Sequence, residues 1–64
     1  MGKKYVILRN PHDQEYKLFK YVPGKELYAP NYGGCITNGA TMDDCFLSAH
    51  SMFNIRKKEV CFHG

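Results

Sequence analysis

The stretch that decides the fold is residues 34–54, GCITNGATMDDCFLSAHSMFN, which indicates a short strand, a turn and one helix. Cys35, Ile36 and Thr37 favour a strand, because branched side chains pack well on a pleated sheet. Gly39 supplies a backbone position that is free to take a positive φ, as sharp turns often require. The stretch therefore predicts a strand that turns directly into a helix.

The helix is predicted from Met42 to about Asn54, with Thr41 as its N-cap. The Thr41 hydroxyl is placed to accept from an amide of the first turn, and Asp44 could reach back as in a capping box. Apolar residues recur at the i, i+3, i+4 and i+7 spacing of one helix face: Met42, Cys45, Phe46, Ala49, Met52 and Phe53. The opposite side carries Asp43, Asp44, Ser48, His50, Ser51 and Asn54, with Leu47 near the border.

Strands are predicted on both sides of the helix. Residues 4–9 form an apolar run with charged ends, and residues 14–22 alternate without a clean apolar side, which favours a sheet edge. Pro23-Gly24 predicts a type II turn, and short strands are expected at 25–29 and 59–63. We therefore expect an α+β fold in which residues 1–64 form a single domain. Its expected order is β-β-β-α-β, with an antiparallel sheet of three to four strands and one helix packed on one face.

Composition limits the class of protein. A chain of 64 residues holds one small domain, and a hydrophobic fraction of 44% argues for a folded core. No apolar run approaches the ~20 residues that span a bilayer, and the charged start is not followed by a signal-peptide core. We expect no membrane segment and a cytoplasmic location. One bare sheet face and a bare strand edge, in so short a chain, favour a homo-oligomer.

The reactive side chains do not form a recognisable catalytic or metal-binding pattern. Three cysteines, Cys35, Cys45 and Cys61, are an odd number, which favours reduced, buried thiols. There is no Cys-x-x-Cys pair, so we expect no metal and no cofactor. The six carboxylates lack the spacing of a two-metal site, so no catalytic residues and no enzymatic activity are expected. A Cys–His pair formed in space stays an alternative.

The formal net charge of +3 is modest, and its basic residues are dispersed apart from Arg56-Lys57-Lys58. That cluster is interpreted as a helix C-terminus followed by a solvated loop. A phosphate-binding patch is the alternative.

A spaced motif links the loop to the helix. Its most specific part is Gly34-Cys35-x-Thr37-x-Gly39-x-Thr41, preceded by Pro30-Asn31-Tyr32-Gly33 and followed by Asp43-Asp44-Cys45. This pattern resembles the HicB-like antitoxin family, a partial RNase H-like fold with Pro-Asp-Leu-Pro-Gly-Cys, Thr-x-Gly-x-Thr and Glu-Glu-Ala in those places. Gly33 replaces the second Pro, Asp43-Asp44 replaces the paired Glu, and the region before Tyr28 is longer than in the family. We expect no room for the C-terminal DNA-binding domain that many members carry.

The resemblance implies a stand-alone HicB-like protein that acts by protein binding, with neutralisation of a small HicA-type ribonuclease toxin as the leading hypothesis. Family members commonly dimerise, and direct contact with nucleic acid is not expected. The expected partner-binding residues are loop residues Asn31, Tyr32 and Gly33 and outward helix residues Asp43, Leu47, His50 and Asn54. The alternatives are an inhibitor of another nuclease, such as a virus-borne anti-defence protein, and a small RNA- or DNA-binding domain with tyrosines as stacking surfaces.

Overall fold

The computed structural model of the protein describes residues 2–63; Met1 and Gly64, the end residues of the predicted 1–64 domain, lie outside the described residues. Strand β1 is Tyr5–Arg9, β2 is Tyr16–Lys20, β3 is Thr37–Gly39 and β4 is Val60–His63. Helix α1 is Met42–Phe53, and 3₁₀ turns lie at Ala29–Asn31 and Lys57–Glu59. The α+β class and the β-β-β-α-β order are as predicted.

The sheet is mixed, with strand order β3-β2-β1-β4. β2 pairs antiparallel with β1 and β3, whereas β4 runs parallel to β1 with Val60 opposite Tyr5. The predicted purely antiparallel sheet is wrong in this detail. The cause is the helix, which carries the chain back along the sheet so that β4 starts at the same end as β1.

β2 is an inner strand, and its predicted edge position is wrong. It lies between β1 and β3, and both of its faces are covered: Leu18 packs on the helix side and Phe19 on the back of the sheet. Ala29 and Tyr32 pack on that back face, with Leu27 beside them. The expected bare sheet face is therefore covered by the chain itself, which removes that argument for self-association.

The segment that covers the back face, residues 21–34, contains no strand. It begins with the predicted type II turn, in which Gly24 has a φ of 83° and the Lys25 amide donates to the Val22 carbonyl at 3.2 Å. The strand predicted at 25–29 is wrong, because its apolar side chains are used to cover the sheet face and not to extend a ladder.

The helix side of the sheet holds the second half of the core, in which Cys45 and Ala49 are fully buried. Met52 and Phe53, predicted to be buried, are 59% and 53% exposed. Asn54 is left-handed (φ 56°, ψ 33°), which ends the helix. The buried residue that follows is Ile55, which joins the cluster formed with Ile7, Leu18, Cys45, Ala49 and Val60.

The junction between β3 and α1 carries the predicted cap. The Thr41 hydroxyl accepts from the Asp44 amide at 3.0 Å, and within residues 2–63 no bond returns from the Asp44 carboxylate. Gly39 does not have a positive φ, so the predicted reason for this glycine is wrong. A Cβ at Gly39 would lie 2.5 Å from the Cys45 amide nitrogen, so the glycine is needed for close approach of strand and helix. The positive φ of this motif occurs at Gly34 (68°).

Candidate functional site

The parallel pairing of β1 and β4 gathers most of the positive charge at one end of the sheet. Both strands begin there, and β2 ends there with Lys20 opposite Tyr5. We call this region the basic end, and it comprises six of the nine cationic residues together with Glu59: Lys3, Lys4, Lys20, Arg56, Lys57 and Lys58. The sequence shows only the Arg56–Lys58 run. The direction of β4 brings the other three cations, Lys3, Lys4 and Lys20, to the same end of the sheet as this run.

Glu59 organises the basic end. Its carboxylate accepts from the Arg56 amide at 3.0 Å and lies 3.4 Å from the Lys4 ammonium. The backbone hydrogen bond is the largest cause of the lowered pKa of Glu59, and Lys4 adds to it. Lys3 donates to the Lys58 carbonyl at 3.1 Å, which ties the residues before β1 to those before β4. These contacts surround an open cavity of about 370 Å³ lined by Gly2, Lys4, Arg56, Lys58 and Glu59.

The opposite end of the sheet, where β1 ends, β2 begins and α1 starts, is acidic. Lys17 and Asp13 form an ion pair of 3.1 Å there, and Asn38 donates to the Glu15 carboxylate at 2.9 Å. The pKa of Asp13 is lowered, chiefly by the Glu15 backbone amide and then by Lys17. Two carboxylates of the first helical turn, Asp43 and Asp44, make no ion pair with any residue from 2 to 63.

One side of α1 presents the four helix residues predicted for partner binding, and we call Asp43, Leu47, His50 and Asn54 the helix stripe. All four are exposed, and Leu47 is 59% exposed. The His50 ring stacks on Phe46 at 5.9 Å, and its Nδ1 lies 3.1 Å from the Ile55 carbonyl, so the ring is held in place at the surface. The stripe runs from the acidic end of the molecule towards the basic end.

The predicted loop half of the partner surface lies elsewhere. Tyr32 is only 7% exposed, and its ring packs 5.4 Å from Phe19 on the back of the sheet, with the Lys25 ammonium 5.0 Å above it. Tyr32 is therefore a core residue and not a contact residue, because the back face of the sheet needs an aromatic cover. Asn31 and Gly33 are exposed beside it. The loop and the helix stripe are on opposite sides of the sheet and do not form one surface.

Thr37 makes hydrogen bonds that join the motif of residues 34–41 to α1. Its hydroxyl is 2.8 Å from the Ser48 hydroxyl, which explains why Ser48, predicted on the solvent side, is partly buried. Its carbonyl accepts from the thiols of Cys35 and Cys45 at 3.2 and 3.9 Å. Each residue of the motif thus either contacts another part of the fold or has a special backbone conformation, which is consistent with a structural motif. These residues are Gly34, Cys35, Thr37, Gly39 and Thr41.

The three thiols differ in environment. Cys45 is fully buried, and this burial raises its pKa from 9.0 to about 11. Cys61 is partly exposed, and Cys35 is exposed because β3 begins only at Thr37. The buried-thiol prediction is confirmed for Cys45 and wrong for Cys35. In the part of the chain that the structure describes, no hydrogen bond joins a cysteine to a histidine. The same residues contain no group of three or more His, Cys, Asp or Glu side chains placed to hold a metal ion.

Comparison of the chain with protein-family models, with curated proteins and with solved structures found no match. The resemblance to HicB-like antitoxins therefore stays a prediction, and the class of the protein is defined by its small α+β fold. Among residues 2–63, α1 has neither the length nor the apolar character to cross a membrane.

Proposed function

We propose that the protein acts by binding another protein through the helix stripe and that this partner is a small ribonuclease toxin, which it neutralises. The observation that carries the proposal is the exposure of Leu47 on the side of α1 that faces away from the core. Phe53, 53% exposed, lies next to His50 on the adjoining side of the helix. A single exposed leucine is ordinary, but Leu47 lies at the centre of a helix side whose other residues are polar, an arrangement that suits docking through one apolar contact.

The spacing of the stripe supports recognition by a helix in a groove. Asp43, Leu47, His50 and Asn54 follow the i, i+4, i+7, i+11 pattern, which keeps them on one side of the helix over about 17 Å. Inhibition of this kind requires only that the helix cover a catalytic residue or the RNA-binding face of the toxin. It needs area and shape and no chemistry of its own.

The charge distribution also favours a basic partner at the helix stripe. Asp43 opens the stripe at the acidic end, next to Asp44, while six of the nine cations lie at the other end. A ribonuclease must carry positive charge to bind RNA, and such a surface is complementary to the first turn of α1. The overall charge of +3 therefore does not describe the field near the stripe.

The test is a titration of a HicA-type ribonuclease with this protein, with RNA cleavage as the readout. Leu47→Asp should weaken inhibition by about 30-fold or more, because central apolar contacts of an interface typically contribute at least ~2 kcal/mol. Met52→Asp is the matched control, since Met52 is also 59% exposed but lies on another side of α1. The control should inhibit like the native protein.

Two results would contradict the proposal. One is native inhibition by Leu47→Asp, and the other is an equal loss in Leu47→Asp and Met52→Asp, which would indicate a general effect of the new charge. If the toxin is not inhibited but another nuclease is, with the same dependence on Leu47, the alternative of an inhibitor of a different nuclease replaces the toxin.

A further inference from the structure

We propose that the basic end binds the phosphate backbone of a nucleic-acid strand. This site shares no residue with the helix stripe, and the proposal does not rest on the protein-binding function. The site is created by topology, because Lys3-Lys4 precedes β1 and Arg56-Lys57-Lys58 precedes the parallel strand β4. More than fifty residues separate the two runs in sequence, yet Lys3 donates directly to the Lys58 carbonyl.

The cations form a row that matches a chain of phosphates. Lys20, Lys4 and Lys58 lie at the same end of β2, β1 and β4, which are neighbours in the sheet. Neighbouring strands are ~4.8 Å apart, so the row is about 10 Å long. The three cations of the row can each contact one backbone phosphate of a bound strand.

The shape of the basic end suits a strand better than a flat surface. The cavity of about 370 Å³ is open and is lined by Lys4, Arg56 and Lys58. The carboxylate in its lining, that of Glu59, accepts a hydrogen bond from the Arg56 amide and contacts the Lys4 ammonium, which fixes the turn. The Arg56 guanidinium makes no ion pair among residues 2–63. A guanidinium in that position can bind one phosphate through two parallel hydrogen bonds.

The fixed cations and the cavity between them favour a nucleic-acid strand over an anionic membrane. The Lys57 ammonium lies 6.0 Å from the centre of the partly buried Phe62 ring. The same ring packs 5.9 Å from the Phe46 ring and against the core, so it holds Lys57 in place beside the other cations. A lipid surface would touch the rim of the cavity and leave its interior unfilled.

The experiment measures fluorescence anisotropy of a labelled oligo-dT of about 16 nucleotides, a length within the usual site size, at several salt concentrations. Three phosphate contacts predict that log K falls with log salt with a slope of about −2. The double variant Lys4→Ala/Lys58→Ala should reduce the slope to about −0.7 and weaken binding about 25-fold in 0.1 M salt, because each contact releases ~0.7 counterion. An RNA oligonucleotide of the same length should behave alike.

The control is Arg9→Ala/Lys17→Ala, which removes the same charge at the opposite end of the sheet and should keep the native slope. Circular dichroism of both double variants checks that they fold. Absence of saturable binding, or an equal loss of affinity in the two double variants, would overturn the proposal. Binding to phosphatidylserine vesicles without binding to the oligonucleotides would overturn it as well. None of these results bears on inhibition through Leu47, which uses a different surface.

Discussion

Gly39→Ala tests whether the close approach of β3 to α1 is what the glycine provides. A Cβ at this position would lie 2.5 Å from the Cys45 amide nitrogen, 2.8 Å from the Asp44 carbonyl carbon and 2.9 Å from the Asp44 Cβ. Two of these atoms are backbone, so no side chain can rotate away. Either the end of β3 or the first turn of α1 has to move by about 1 Å for the contact to become an ordinary one.

The cost follows from what that movement disturbs. Overpacking of this kind costs about 1–3 kcal/mol, and a displaced first turn also weakens the Thr41 cap, which contributes ~1 kcal/mol. Alanine recovers about 0.4–1 kcal/mol by restricting the unfolded chain. We expect a net loss of about 2–3 kcal/mol from a domain whose total stability is about 3–10 kcal/mol. The melting temperature should fall by about 10–20 °C.

Gly33→Ala is the matched control for this measurement. Gly33 is exposed, has no positive φ, and an added Cβ would meet nothing within 4 Å. Its substitution should leave thermal unfolding unchanged or slightly raise the melting temperature. Equal melting temperatures for Gly39→Ala and the native protein would refute the reasoning, since the strand–helix contact would then be loose enough to accept a methyl group.

Four further outcomes are expected. Thr41→Ala should lower the free energy of unfolding by about 1 kcal/mol in urea, while Thr41→Ser should retain the cap and most of the stability. The free energy of unfolding should decline as the pH rises from about 9 to about 11. The reason is that the pKa of the Cys45 thiol is about 11 in the folded protein and 9.0 in the unfolded chain, so only the unfolded chain loses the proton in this range. Urea titrations at pH 8 and pH 10, with Cys45→Ala as reference, measure this decline. Dialysis against a chelator should leave the circular dichroism spectrum unchanged, and a lost spectrum together with stoichiometric zinc in the untreated protein would contradict it. Sedimentation at micromolar concentration should show a dimer or larger species joined at an open edge of the sheet, and a monomer at all concentrations would argue against this.

The sequence was informative wherever a feature is local. The helix bounds, the Thr41 cap and the type II turn at Gly24 depend on neighbouring residues, and all were predicted. The reason for Gly39 was missed because it depends on a contact between β3 and α1. No signal in the sequence states how closely two elements approach.

The wrong predictions concern which side chains cover the two faces of the sheet. Tyr32 was predicted as a contact residue because its side chain offers a large, rigid contact at low entropy cost, but the back face of the sheet had to be covered and the loop covers it. Ile55 was missed for the same reason: the apolar pattern of α1 ends at Phe53, and the left-handed Asn54 decides which later side chain becomes buried. The direction of the chain after the C-cap decides where the following residues lie. The helical periodicity of α1 does not predict that direction.

The direction of β4 links the two proposed surfaces. A parallel β4 requires α1 to run back along the sheet, so the helix begins at the acidic end and finishes at the basic end. Asp43 and Asp44 therefore meet the positive end of the helix dipole, and the cations gather near its negative end. The twelve residues of α1 separate these ends by about 18 Å, more than twice the ~8 Å Debye length of physiological salt. A partner at the first turn of the helix stripe thus responds chiefly to the local carboxylates and a phosphate strand to the local cations, so one small domain can present an acidic surface and a basic surface at its two ends.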